Sequence, residues 1–186
     1  MSGSLVTKKA LAASIKELMM KKSLAKISIE EIVNHCGLNR QTFYYHFKDK
    51  YDLVNWIYST EVVAFTAESW TYEQWSNGVL EVLTLLKKNQ AFYRNALNAS
   101  GQNTFADYLF LVSKEMIMQV LDSFCATSSV SLEGKDFMAE FITNGFVGII
   151  TKWVKTGMTV SPERLHNQII HLLDNGIGML LSHYMG

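Results

Sequence analysis

An all-α chain is the fold class this sequence predicts, on three observations. A single proline and eleven glycines in 186 residues leave long stretches free to run as helix. Apolar residues recur at three- and four-residue spacing, and sustained period-two alternation of β-branched residues is hard to find. Finally, 48% hydrophobic against 18% charged residues is a globular composition, sufficient for one good core or two small ones.

The elements follow in order. Leu5, Leu11, Ile15, Leu18 and Met19 mark one face of a first helix from Leu5 to Lys22, with lysines opposite. "SLAKIS" interrupts it, and Ser28 with Glu31 forms a capping box that opens a second helix, Ile29 to Cys36, with Ile29, Ile32 and Val33 inward. Gly37 stands where a residue of positive φ is wanted, Leu38 packs back, and Asn39 caps a third helix, "RQTFYYHF". Asp49 caps a fourth helix running from Lys50 to Ala67. Thr71 and Gln74 make a second capping box before a fifth helix that continues to Lys88. "AFYRNAL" is a short sixth helix ended by "NASGQN", and the seventh spans Phe105 to Cys125. After the loop "ATSSVSLEG" an eighth helix runs from Asp136 to Thr156 with Gly157 as its stop. Ser161 and Pro162, as cap and first residue, start a ninth that reaches His183.

Two short helices joined by a glycine-containing turn match the helix-turn-helix, whose second helix enters the DNA major groove. Phe43 and Phe47, four apart on the third helix, share a core face. Arg40, Gln41 and Thr42 lie at its start, where side chains reach base edges. Arg grips guanine and Gln grips adenine through paired hydrogen bonds, while the Thr methyl meets that of thymine. Tyr44, Tyr45, His46 and Lys50 suit phosphate oxygens, which supply affinity and registration. Charge agrees: residues 1–55 carry nine Lys/Arg against five Asp/Glu, and the remainder eight against twelve, although the whole chain is neutral.

The span "KISIEEIVNHCGLNRQTFYYHFKDKYDLVNWIY" resembles the DNA-binding domain of the TetR family of transcriptional regulators, over residues 8–58. The resemblance implies base contacts from Gln41 and Thr42, phosphate contacts from Tyr44, Tyr45, His46 and Lys50, and a place close to the DNA backbone for Ser28. Glu30 and Glu31 depart from members that carry a basic residue early in the second helix, which puts base reading by that helix in doubt. The resemblance further implies about nine helices, divided into a helix-turn-helix domain over residues 1–50 and a helical sensing and dimerisation domain over 51–186. A homodimer made by the last two helices on a double-stranded operator is implied too. The segments "WSNGVLEVLTLLKKNQAFY" and "FITNGFVGIITKWV" resemble regulators of dihydroxyacetone kinase operons, a branch that looks like activators or partner-controlled regulators.

In the body, the resemblance implies a pocket for a small-molecule effector or a surface for a partner protein. Trp75, Phe92, Tyr93, Phe105, Tyr108 and Phe146 are its candidate lining, each of which is equally readable as ordinary core. Phe141, Gly145, Gly148 and Ile149 on the eighth helix, with Ile169, Leu173 and Leu180 on the ninth, are candidate dimer contacts, small residues allowing close approach. The alternative is that these faces pack only within one chain.

Other functions find less support. Five histidines show no metal-ligand spacing, no phosphate-binding glycine loop or G-x-S-x-G occurs, and Cys36 and Cys125 are isolated. No metal, cofactor or enzymatic activity is expected. The longest apolar runs fall far below the roughly 18 residues of a membrane helix, and the first residues lack a signal-peptide pattern, so a cytoplasmic protein without membrane contact is expected. A helical protein-binding adaptor of the same fold, with weak or no DNA binding, is the competing reading.

Overall fold

The computed structural model describes residues 3–62, 72–100, 104–124 and 130–184, the side chains of 124 and 175–184 excepted. Nine α-helices and one 3-10 turn make up the secondary structure of those residues, with no strand among them. They are α1 (Gly3–Met19), α2 (Ile29–His35), α3 (Arg40–His46), α4 (Lys50–Glu61), α5 (Tyr72–Lys88), α6 (Gln90–Leu97), α7 (Phe105–Phe124), α8 (Leu132–Lys155) and α9 (Pro162–Tyr184).

Local chemistry explains most boundaries. The Ser28 capping box is complete, and Asn39 and Asp49 accept backbone N–H groups at the starts of α3 and α4. Cys36 to Leu38 end α2 in a Schellman motif: Leu38 N donates to Val33 O at 2.8 Å and Gly37 N to Asn34 O at 3.3 Å, with Gly37 at φ +69°. The end of α8 repeats it, Met158 N reaching Trp153 O at 2.8 Å and Gly157 N reaching Val154 O at 3.2 Å, with Gly157 at φ +90°.

Three of the boundaries that differ from expectation bear most on the packing. The first helix stops at Met19, three residues early, and Leu24–Lys26 turns as 3-10. Phe47, expected inside the third helix, is its extended C-cap. Helix α8 starts at Leu132 rather than Asp136, because Ser131 accepts from Gly134 N at 3.1 Å and converts the end of the expected loop into a first turn. The Thr71 cap and the fourth helix beyond Val62 lie outside the described residues.

Packing divides the chain into two compact units, residues 1–63 with 89–108, and residues 64–88 with 109–186. Thus α6 belongs with the first four helices. In that unit α1 packs on α2, α3, α4 and α6, burying Leu11 and Ile15 with Ile32, Phe43 and Leu53. Lys8 lies over the rings of Phe47 and Trp56, 5.6 Å from each centroid. Asn95 of α6 holds the turn after α1 with three hydrogen bonds, accepting from Leu24 N at 2.8 Å and donating to Met19 O at 2.9 Å and Lys22 O at 2.7 Å.

In the second unit α5 lies against α9. His166 Nε2 sits 2.9 Å from Ser76 O, and Tyr72 donates to Asp174. Lys87 Nζ donates to Met158 O at 2.6 Å, satisfying a carbonyl beyond the end of α8.

Candidate DNA-binding interface

The α2–turn–α3 segment is fixed from beneath. Phe43 is 0% and Phe47 3% exposed, and burying each such ring contributes about 1.5–3 kcal/mol. With that side anchored, the remaining side chains of α3 face outward. Arg40 and Gln41 are exposed, and their side chains make no hydrogen bond or ion pair with another described residue. Thr42 is half-buried, its hydroxyl donating to Asn39 Oδ1 at 3.0 Å.

Tyr44 is 50% and Tyr45 82% exposed, an unusual state for large rings unless something else covers them. His46 meets Tyr45 edge-on, with centroids 4.8 Å apart. Arginine, amide, hydroxyl and phenol groups therefore stand together on one outward surface, with no acidic residue on α3 itself.

Ser28 is exposed, but its hydroxyl is engaged: it accepts from Glu31 N at 3.2 Å and donates to Glu31 Oε2 at 3.1 Å. Glu31 also pairs with Lys22. The Lys22 ammonium, followed by the Ser28 backbone N–H, holds the Glu31 carboxyl down to about 2. Its charge is thus committed to the helix start.

Lys50 is engaged by the protein's own backbone. Its ammonium donates to the carbonyls of Leu24 at 2.7 Å, Ala25 at 3.0 Å and Ile27 at 2.8 Å, so all three of its donors are engaged within the domain. Burial pulls its pKa below the ordinary lysine value. A cation in the first turn of α4 opposes the helix dipole, and carbonyl acceptors offset that. The group that sequence reasoning passed over is Lys48. It is exposed just after α3, its backbone N–H donates to Asp52 Oδ2 at 2.9 Å, and its ammonium has no partner among the described residues.

The candidate effector residues are divided between the two units. Phe92, Tyr93, Phe105 and Tyr108 fall in the first unit, and Trp75 and Phe146 in the second. Tyr93 is 0% exposed, its ring tilted against Phe105 at 5.5 Å, and its hydroxyl donates to Glu61 Oε2 at 2.9 Å. Burial, reinforced by the Glu61 carboxylate, pushes its phenol far up. Trp75 and Phe146 meet with centroids 5.9 Å apart. The apolar crevice at Trp75, with Ile117, Leu121, Ile142 and Leu173, has about 10 Å³ of free space, the limit for one water.

The candidate dimer residues also separate. Phe141 is 69% exposed, Ile149 is 41% exposed, and Gly145 and Gly148 are exposed beside them on α8. Ile169, by contrast, is 5% exposed and is core of the single chain, while Leu173 lines the Trp75 crevice. The Leu180 side chain lies outside the described residues.

Residues 11–57 match the bacterial regulatory proteins of the tetR family, and residues 73–175 match a transcriptional regulator C-terminal region of that family. The chain belongs to the TetR family of transcriptional regulators. Among curated relatives, the HTH-type dhaKLM operon transcriptional activator DhaS of Lactococcus lactis subsp. lactis (strain IL1403) is 26% identical over 176 residues, covering 93% of this chain and 91% of that protein. Among solved structures, a dihydroxyacetone kinase operon activator DhaS aligns with a TM-score of 0.70 at 23% identity, over 98% of this chain and 99% of that one. NalD, the secondary repressor of the MexAB-OprM multidrug efflux pump in Pseudomonas aeruginosa, aligns with a TM-score of 0.62 at 14% identity, covering 95% and 98%. These structural likenesses bear out the all-α TetR fold. The family is one of regulators rather than enzymes, and no described helix is long and apolar enough to cross a membrane.

Proposed function

We propose that this TetR-family regulator works in the cytoplasm as a homodimer that reads a double-stranded operator through α3. The observation that carries the reading is the outward surface of α3, where Arg40, Gln41, Tyr44 and Tyr45 stand exposed above the buried Phe43. Arg40, Gln41 and the Thr42 methyl reach base edges, whereas Tyr44, Tyr45 and His46, joined by Lys48, hold phosphates. Lys50 and the Ser28 hydroxyl act one step back, fixing the backbone that presents α3.

Operator affinity is modulated by a small molecule or a partner protein acting on the C-terminal body, in the manner of a DhaS-type operon activator. Two copies would engage half-sites about 34–36 Å apart, so a modest change in the spacing of the two α3 helices spoils simultaneous binding.

The test is binding of the purified protein to a fluorescent DNA fragment from upstream of its own gene, across a salt series. Arg40→Ala and Thr42→Ala should weaken operator binding selectively, each by about 1–3 kcal/mol for a lost base contact. Lys48→Ala should weaken all sequences alike and lower the salt slope by about one. Equal binding to operator and random DNA, unaltered by all three changes and repeated with genome-selected sites, would refute DNA reading by α3.

A further inference from the structure

The Asn39 side chain makes two bonds at the start of α3, and the second has a consequence for base reading. Asn39 Oδ1 accepts from Thr42 N at 2.8 Å and from the Thr42 hydroxyl at 3.0 Å. The first bond fixes which end of the amide faces the helix, because the Nδ2 end would set a donor against a donor. An amide oxygen cannot donate, so the second bond takes the proton of the hydroxyl. Thr42 Oγ1 is left with lone pairs alone for anything outside the protein, and the same bond holds its rotamer.

That restricts what Thr42 can meet on DNA. Phosphate oxygens only accept, so a hydroxyl without a free proton has nothing to give them. In the major groove, guanine N7 and O6 and thymine O4 also accept, whereas the amino groups of adenine and cytosine donate. The thymine methyl, against which a threonine methyl packs, stands on the same pair as the adenine amino group.

We propose that Asn39 positions Thr42 for specificity: by holding the hydroxyl proton it sets Thr42 to read an A·T pair, Oγ1 accepting from the adenine amino group and the methyl meeting that of thymine. The inference rests on operator reading by α3, and adds which pair Thr42 selects and what makes it select. A G·C pair in that place removes the thymine methyl and brings guanine O6 lone pairs against those of Oγ1. Turning the proton outward to meet O6 would break the bond to Asn39 where DNA has displaced the water that could replace it. Arg40 and Gln41, whose side chains have no partner among the described residues, must lose rotamer freedom on binding, whereas Thr42 is already set.

The test uses the full chain and the tightest duplex it selects from a random library. Each A·T pair of the half-site is changed to G·C in turn, and Kd is read by fluorescence anisotropy. At one pair the wild type should lose about ten- to a hundredfold in affinity, as for a good base contact. Asn39→Ala frees the Thr42 proton, so its preference at that pair should shrink to within about threefold. Asn39→Asp keeps both acceptor bonds and should keep the preference, while its charge weakens every duplex alike, most at low salt. A deletion on the DNA checks the contact without touching Asn39. Purine in place of that adenine lacks the amino group, and should cost the wild type about tenfold and Thr42→Val nothing.

If Asn39 were a helix cap alone, Asn39→Ala would weaken every duplex by one factor with the preference intact. That outcome would overturn the proposal and leave α3 as the reader. A wild type indifferent to purine at every adenine of the half-site would overturn it too, whether or not the alanine variant folds. A wild type that selects no duplex at all would overturn operator reading by α3, and this inference with it.

Discussion

Lys50→Met separates two roles for one lysine. The substitution keeps most of the aliphatic stem and removes a cation that donates to Leu24, Ala25 and Ile27 carbonyls at 2.7, 3.0 and 2.8 Å. A hydrogen bond from a charged donor contributes about 1.5–3 kcal/mol when shielded and less near solvent, where the lost partner is replaced by water. Leu24 is 0% and Ile27 1% exposed, so water replaces those two contacts poorly, whereas Ala25 is exposed. The expected loss is about 2–4 kcal/mol, and at about 2–4 °C per kcal/mol for a chain of this size the melting midpoint should fall by roughly 5–15 °C. The assay is thermal unfolding followed by circular dichroism, paired with DNA binding across a salt series on the folded protein. A phosphate contact would leave melting alone and lower the salt slope by about 0.9. A variant that melts like wild type but loses that slope would refute the internal role.

The other predictions concern the joints of the first unit. Glu31 is held down to about 2 against an ordinary 4.5, by Lys22 first and the Ser28 backbone second. Its contribution is therefore present above pH 4.5 and disappears as pH falls through about 2. Glu31→Gln should lower the neutral-pH midpoint and flatten this part of the acid limb, as read by melting at intervals between those pH values. Asn95→Ala deletes three hydrogen bonds to the turn after α1 and should destabilise by about 2–3 kcal/mol, measured by urea unfolding. Undiminished stability in that variant would mean α6 is held by its apolar face alone, chiefly Phe92, Tyr93, Ala96 and Leu97.

The sequence by itself determined what short-range chemistry controls. Ser28 with Glu31, Asn39, Asp49, Gly37 and Gly157 act on backbone within about one helical turn, so their types and spacing place starts and stops without any tertiary knowledge. The outward surface of α3 was legible for the same reason, since Phe43 and Phe47 mark one side of a short helix and leave the others. The start of α8 was missed because Ser131 follows Ser128 and Ser129, and nothing local selects which hydroxyl caps. The cap at Thr104, which accepts from Asp107 N at 3.3 Å, is readable from the three-residue spacing of Thr104 and Asp107.

Only tertiary structure decided the rest, because the deciding partners are distant in sequence. Lys50 finds its acceptors 23 to 26 residues away, and Asn95 finds its own 71 to 76 away. An apolar helix face announces burial but not its occupant: Ile169 is covered within the chain, while Phe141 is left open on α8. The six candidate lining aromatics carry the same ambiguity: packing assigns four to the unit that carries α3 and two to the other. Periodicity selects the faces that leave water, and packing geometry selects what they meet.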